Sequence, residues 1–166
     1  MQVTLTTKKM NKSLLVISLI VIGISSCSHY DDIQKNAKES IAGEDESHNS
    51  GQNCMNCHNA LSSSEAVQEG GWWNIAGTAF KSSGSYAKEG SVELWTGPNR
   101  TGSLLYKLAI DDLGNFYTGK IVDFKGGVFP VLIDKNGNLN KAMQSSTLNG
   151  ACNSCHGVST PKILFK

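Results

Sequence analysis

The sequence has little of what marks several common protein classes. Of its 166 residues only 7% are aromatic, and there are 3 Pro and 5 Cys, which predicts one domain with a modest core. Its longest apolar run, residues 14–24, is too short for a comfortable transmembrane helix. The first 26 residues hold 3 of the 15 basic residues and no acid, which leaves 12 basic against 14 acidic residues. Without a basic stripe, nucleic acid is not an expected partner.

The sequence has no nucleophile–base constellation and no acid pair that would indicate an enzyme. Its N-terminus has the pattern of an export signal. Three lysines precede the apolar run, and two serines separate that run from Cys27, as expected for a signal peptide of residues 1–26. Residues 24–27, Ile-Ser-Ser-Cys, resemble the lipobox of bacterial lipoproteins. This resemblance implies that Cys27 is lipidated and becomes the new N-terminus. The alternative is an ordinary signal peptide with Cys27 unmodified.

Several acyl chains together hold a protein stably on a membrane. Ser28 after the lipidated Cys resembles the outer-membrane sorting pattern, so we expect a protein anchored to the outer membrane, on its periplasmic or cell-surface face. Translation begins at Met1 or at Met10, because "MNKSLLV" is already a complete signal start. Residues 27–51 are polar and charged with few large apolar residues, which predicts a lipidated, flexible tether.

Residues 72–146 have the pattern of short strands. Apolar positions alternate in "WWNIAGTAF", "SVELWT" and "LLYKLAI", each bounded by turn residues, and "DDLGNFYTG" predicts a turn leading into a further strand. In "VFPVLID", Pro130 favours a strand at a sheet edge, and Asn136-Gly137 predicts a hairpin with a type I′ turn. We expect an all-β fold, a Greek-key-type β-sandwich of about six or seven short strands, flanked by short irregular or helical segments.

Four stretches, "IAGTAF", "SVELW", "LAIDDLGNFYT" and "GGVFPVLID", resemble the transthyretin-like, carboxypeptidase-regulatory type of β-sandwich over roughly residues 73–134. That family has a Gly-x-Val opening strand, where this chain has Ala79, and an Asp-x-x-Gly-x-Phe turn. The resemblance implies a fold and no activity.

The most informative elements are two copies of Cys-x-x-Cys-His at the ends of this region. They consist of Cys54, Cys57 and His58 in "GQNCMNCHNAL", and of Cys152, Cys155 and His156 in "NGACNSCHGVS". With 4 His in 166 residues, chance rarely places one directly after both pairs. Both copies resemble the attachment site of c-type cytochromes. The resemblance implies two covalently attached haems, each held by one cysteine pair, with the adjacent His as the proximal iron ligand.

Other chemistries remain open for the same cysteines. A disulfide within each pair leaves the two histidines unexplained. A structural four-cysteine zinc site requires the pairs to meet, and the 94 residues between Cys57 and Cys152 far exceed the spacing of a zinc ribbon. A haem sensor or haem enzyme with an open iron position is a third alternative.

Few residues are available as distal ligands, on the other side of each haem. His48, six residues before Cys54, is the first candidate, with a solvated tether histidine as the alternative. Met143 is the weaker candidate, because packing on the last predicted strand explains it better than ligation does. Trp72 and Trp73 are candidates for stacking on a haem, although strand alternation would place one in the core and one on the surface.

The sequence thus predicts a lipid-anchored dihaem c-type cytochrome that transfers electrons between a donor and an acceptor redox protein, alone, as a homo-oligomer or with other cytochromes. The first haem-binding segment is expected at residues 52–71, the β-sandwich at 72–146 and the second haem-binding segment at 147–166. The alternative is a β-sandwich lipoprotein that binds a partner, with zinc or disulfides at the cysteine pairs.

Overall fold

The computed structural model describes residues 34–59 and 71–165. The chain divides into two compact units, Met1–Asn36 and Ala37–Lys166; in the first, only a helical turn at 34–36 is described. In the second, the described residues form strands β1 (Ile75–Lys81), β2 (Ser91–Gly97), β3 (Thr101–Ala109), β4 (Asn115–Thr118), β5 (Phe129–Ile133), β6 (Leu139–Ala142), β7 (Gly150–Ala151) and β8 (Ile163–Phe165), and 3₁₀ turns Cys54–Asn56, Pro98–Arg100 and Cys152–Ser154. Within the described ranges, no helix is long and apolar enough to cross a membrane.

The strands form two sheets of four strands each. In the first sheet, β1 pairs with β4 antiparallel and with β7 and β8 parallel. The second sheet is antiparallel throughout, in the order β3-β2-β5-β6. The predicted all-β sandwich is confirmed, with eight strands in place of the expected six or seven.

Strand β1 is the centre of the first sheet, and six of its seven residues are buried because both of its faces are covered. Ile75 and Ala79 face the core, where they join Leu94 and Leu108 of the second sheet. On the opposite face, the Thr78 hydroxyl accepts a hydrogen bond from the backbone just before the first cysteine motif. The same strand therefore supports the core on one face and the segment before the first motif on the other.

The expectation that Pro130 places its strand at an edge is wrong, because β5 lies between β2 and β6. The Pro130 carbonyl accepts a hydrogen bond of 3.0 Å from the Met143 N–H, on the β6 side. The proline nitrogen faces the same side, where the paired register begins only at Val131. The missing N–H thus falls at the end of the ladder and leaves no gap within it.

The hairpin between β5 and β6 also differs from the type I′ expectation. Gly137 has a positive φ of 84°, whereas Asn136 does not. The Asp134 carboxylate accepts from the backbone N–H groups of Asn136 and Asn138 at 2.9 and 2.8 Å, and Gly137 N–H donates to the Asp134 carbonyl at 3.0 Å. These bonds define a type I turn followed by a glycine bulge, because the aspartate side chain stabilises the turn before the glycine.

The predicted tether is partly folded. Ser40 is buried; its N–H donates to the Tyr117 carbonyl at 2.9 Å and its hydroxyl donates to the Ala109 carbonyl at 2.7 Å. Glu39 forms a β-bridge with Thr118. Polar side chains are needed here because they satisfy backbone groups at the end of β3 and along β4. Residues 37–51 thus belong to the compact unit, contrary to the expected flexible tether.

Candidate functional site

The two Cys-x-x-Cys-His motifs adopt the same backbone conformation. In each, a three-residue 3₁₀ turn begins at the first cysteine and ends before the second, which has φ and ψ of −107° and −41° at Cys57 and −113° and −49° at Cys155. The histidine N–H donates to the carbonyl of the first cysteine, at 2.9 Å for His58 and 3.0 Å for His156. Two segments almost a hundred residues apart therefore present two thiols and an imidazole in the same local arrangement.

Both histidines are also oriented in the same way. Nδ1 of His58 lies 2.8 Å from the Gly71 carbonyl oxygen, and Nδ1 of His156 lies 2.8 Å from the Pro161 carbonyl oxygen. A carbonyl oxygen can only accept, so Nδ1 carries the proton and donates. In the neutral ring Nε2 then has the lone pair, which is the arrangement found in histidines that bind metals.

The second motif interrupts an edge strand beside β1. Residues before it pair with β1 at Ile75 and Ala76, and residues after it pair with β1 from Ala79 onward. Between these two ladders, the Thr78 N–H donates to Asn153 Oδ1 at 3.1 Å. The buried Asn153 side chain thereby replaces the missing strand partner and allows the motif to leave the sheet.

Asn153 also connects the two motifs. Its Nδ2 donates to the Gln52 carbonyl at 2.9 Å and to the Thr78 hydroxyl at 3.1 Å, and Gln52 lies two residues before Cys54. A Cβ at Gly77 would lie 2.8 Å from the Cβ of Cys152 and 2.5 Å from the Phe116 ring. The second motif therefore packs directly on β1, where only a glycine leaves room, and the first lies next to it.

An apolar cavity of about 400 Å³ opens beside the second motif. Its lining combines core side chains of both sheets with the motif itself and with the residue that follows β6: Ile75, Leu94, Phe116, Cys152, His156 and Met143. Met143, the weaker distal candidate, thus shares a cavity with the proximal candidate His156. Met143 follows β6 directly, and its side chain lines the cavity. The sequence alone could not distinguish a side chain that lines a cavity from one packed in the core.

The first motif lies in an aromatic environment. His58 is buried and stacks on Trp73 with ring centroids 4.9 Å apart, and Trp73 contacts Tyr117 at 4.5 Å. The His48 ring is 5.8 Å from that of His58, so the first distal candidate is a neighbour of its expected partner. Trp72 and Trp73 are both half-buried, and Trp73 orients the histidine, a role that strand alternation did not indicate.

The cysteine pairs also match in exposure. Cys54 and Cys152 are half-buried, whereas Cys57 and Cys155 are exposed, and none of these four is in a disulfide. Burial raises the pKa of the Cys54 thiol, and it raises that of Cys152 to about 12. Charged thiolates are disfavoured at these positions, whereas a neutral sulfur is not.

Among the described residues, no group of three or more His, Cys, Asp or Glu side chains is arranged to hold a metal ion. Cys27, the expected lipidation site, lies outside the described residues. The sequence did not identify Gly71 and Pro161 as orienting groups, because a backbone carbonyl has no sequence signature. Asn153 could have been suspected from the sequence only weakly, because an asparagine side chain inside a motif can hydrogen-bond to backbone groups that have no strand partner.

Comparisons of the chain with known protein families, with curated proteins and with solved structures found no match. The functional argument therefore depends on the motifs and their geometry.

Proposed function

We propose that this protein is a dihaem c-type cytochrome that transfers single electrons between redox proteins. The observation that carries the proposal is the repeated geometry of the motifs: the same 3₁₀ turn, followed by a histidine whose Nδ1 is engaged by a backbone carbonyl. Neither a disulfide nor a four-cysteine zinc site requires this orientation of both imidazoles.

The residues present fit a haem in three respects. Cys54 with Cys57, and Cys152 with Cys155, would hold the two groups as thioethers, and a thioether sulfur is neutral in the half-buried positions of the first cysteine of each pair. His58 and His156 would bind iron through Nε2, with the carbonyls of Gly71 and Pro161 fixing the ring planes. The cavity at the second motif is lined mainly by apolar side chains, which suit the apolar faces of a haem.

A bound haem supplies a metal that cycles between the ferric and ferrous states, one electron at a time. The chain contributes axial ligands, orientation and shielding. Lipidation at Cys27 would place these sites at the outer membrane, where a donor and an acceptor protein exchange electrons with them. The adjacent positions of the two motifs suit transfer within one chain.

The test is expression of the full chain together with a c-type haem maturation system, followed by a denaturing gel stained for haem peroxidase activity. Two double variants, Cys54→Ser with Cys57→Ser and Cys152→Ser with Cys155→Ser, should each retain one covalent haem by pyridine haemochrome assay. Cys27→Ser is the matched control, because it removes a cysteine outside the motifs and should leave two haems. Mature protein without covalent haem overturns the proposal, and one zinc per chain in that protein would support the four-cysteine alternative.

A further inference from the structure

We propose that the two haem sites have different sixth ligands, His48 at the first and Met143 at the second, so that the second haem has the higher reduction potential. This inference rests on the proposed function. It concerns how the two sites differ, which the identical motifs do not reveal.

Met143 lies in the cavity beside His156. Its backbone is fixed, because its N–H donates to the Pro130 carbonyl of β5 at 3.0 Å, and its side chain lines the same cavity as Cys152, Cys155 and His156. Two lysines, at 141 and 162, also line this cavity, but a lysine ammonium has no lone pair to offer. Among the cavity-lining residues outside the motif, Met143 has a neutral sulfur that can bind a metal ion. The thioether of Met is an established haem ligand.

His48 lies close to His58. The ring centroids of His48 and His58 are 5.8 Å apart, with the ring planes tilted by 37°, so a haem held by the first motif would lie within reach of both imidazoles. The His48 side chain is exposed, but its backbone is anchored. The buried Asn115 donates from Nδ2 to Ser47 Oγ at 2.9 Å, to Ser50 Oγ at 3.1 Å and to the His48 carbonyl at 3.4 Å.

The two ligand sets lead to an order of reduction. A methionine ligand together with histidine would raise the reduction potential of a haem, and an apolar setting would favour the less charged ferrous state. A haem held at the second motif would therefore accept an electron from a one-electron reductant before a haem held at the first motif. No proton or other group has to move in either step.

The experiment is an optical and electron paramagnetic resonance redox titration of the two-haem protein and of four variants, each first shown to contain two covalent haems. The wild type should show the far-red band of methionine-ligated ferric haem from one of its two haems, two separate reduction steps, and a low-spin spectrum that carbon monoxide does not change. Met143→Leu should lose the band and shift the higher midpoint downward. Met143→His should lose the band, remain low-spin and bring the two midpoints together.

Met55→Leu is the control, because Met55 does not line the cavity, and it should keep the band. His48→Leu should also keep the band while one haem becomes high-spin and binds carbon monoxide. A wild-type protein with two haems and no far-red band overturns the inference, as do a band that survives Met143→Leu and a His48→Leu spectrum identical to the wild type. These outcomes leave the proposed function intact, whereas protein without covalent haem contradicts the proposed function itself.

Discussion

The buried thiol of Cys152 gives a prediction that separates the haem-free protein from the haem-loaded one. Without haem, burial raises the pKa of this thiol from 9.0 to about 12. In the unfolded chain the thiol ionises near its ordinary pKa. Between these two values the unfolded state binds fewer protons than the folded state, so the free energy of unfolding falls as the pH rises.

The slope follows from one proton. It is about 1.4 kcal/mol per pH unit once the unfolded thiol is ionised, which amounts to about 2 kcal/mol between pH 9 and pH 10.5. The pKa of Cys54 is raised for the same reason, so this thiol acts in the same direction. Below about pH 8 both thiols are protonated in both states, and neither contributes to the pH dependence.

Urea unfolding of reduced, haem-free protein from about pH 8 to about pH 10.5 measures this slope. Cys152→Ser should make the pH dependence clearly shallower, whereas Cys155→Ser, which removes an exposed thiol of the same motif, should leave it steep. The haem-loaded protein should have a shallower slope than the haem-free wild type, because a thioether has no proton to lose. Equal slopes for the haem-free wild type and Cys152→Ser would refute the effect of the buried thiol, and a haem-loaded slope as steep as that of the haem-free wild type would refute thioether formation at Cys152.

Three further substitutions test how the fold supports the sites. Gly77→Ala should cost about 1–3 kcal/mol in urea unfolding and reduce haem attachment at the second motif, since its Cβ meets Phe116 and Cys152; Gly126→Ala, with open space around it, is the neutral control, and equal stability of the two would contradict the packing. Asn153→Ala leaves backbone groups of Gln52 and Thr78 without their partner and should cost about 1–3 kcal/mol; a loss below about 0.5 kcal/mol would count against this role. Trp73→Leu should broaden the electron paramagnetic resonance signal of the first haem alone, because its histidine loses its stacking partner; an unchanged signal would show that the carbonyl bond suffices.

The sequence predicted those parts of the fold whose signals are local. Alternation identified β2 and β3, and turn residues separated them. Strands β7 and β8 could not be predicted, because they are two and three residues long and pair with β1 from far along the chain. The polar segment at 37–51 was assigned to a tether, since composition does not show that its polar groups bond to strand edges.

In the candidate site, too, local features could be predicted from the sequence and tertiary contacts could not. The Cys-x-x-Cys-His spacing identified the six motif residues, and the repeated spacing predicts that both motifs have the same geometry. The partners of the motifs depend on tertiary structure: the Gly71 and Pro161 carbonyls, the Trp73 ring and the Asn153 bridge. The cavity beside Met143 could not be predicted at all, because it forms between two sheets whose relative packing is not encoded in any local pattern.

Covalent haem attachment is measured most directly by the intact mass of the mature protein after reduction and denaturation, following production with the c-type haem maturation machinery. Both motifs should carry covalent haem, so the mass should exceed that of the processed polypeptide and its lipid by two haem groups. Peptides spanning Cys54–His58 and Cys152–His156 should carry one haem each. A mass equal to the lipidated polypeptide alone, with all four motif cysteines open to alkylation, would contradict covalent haem attachment at either motif.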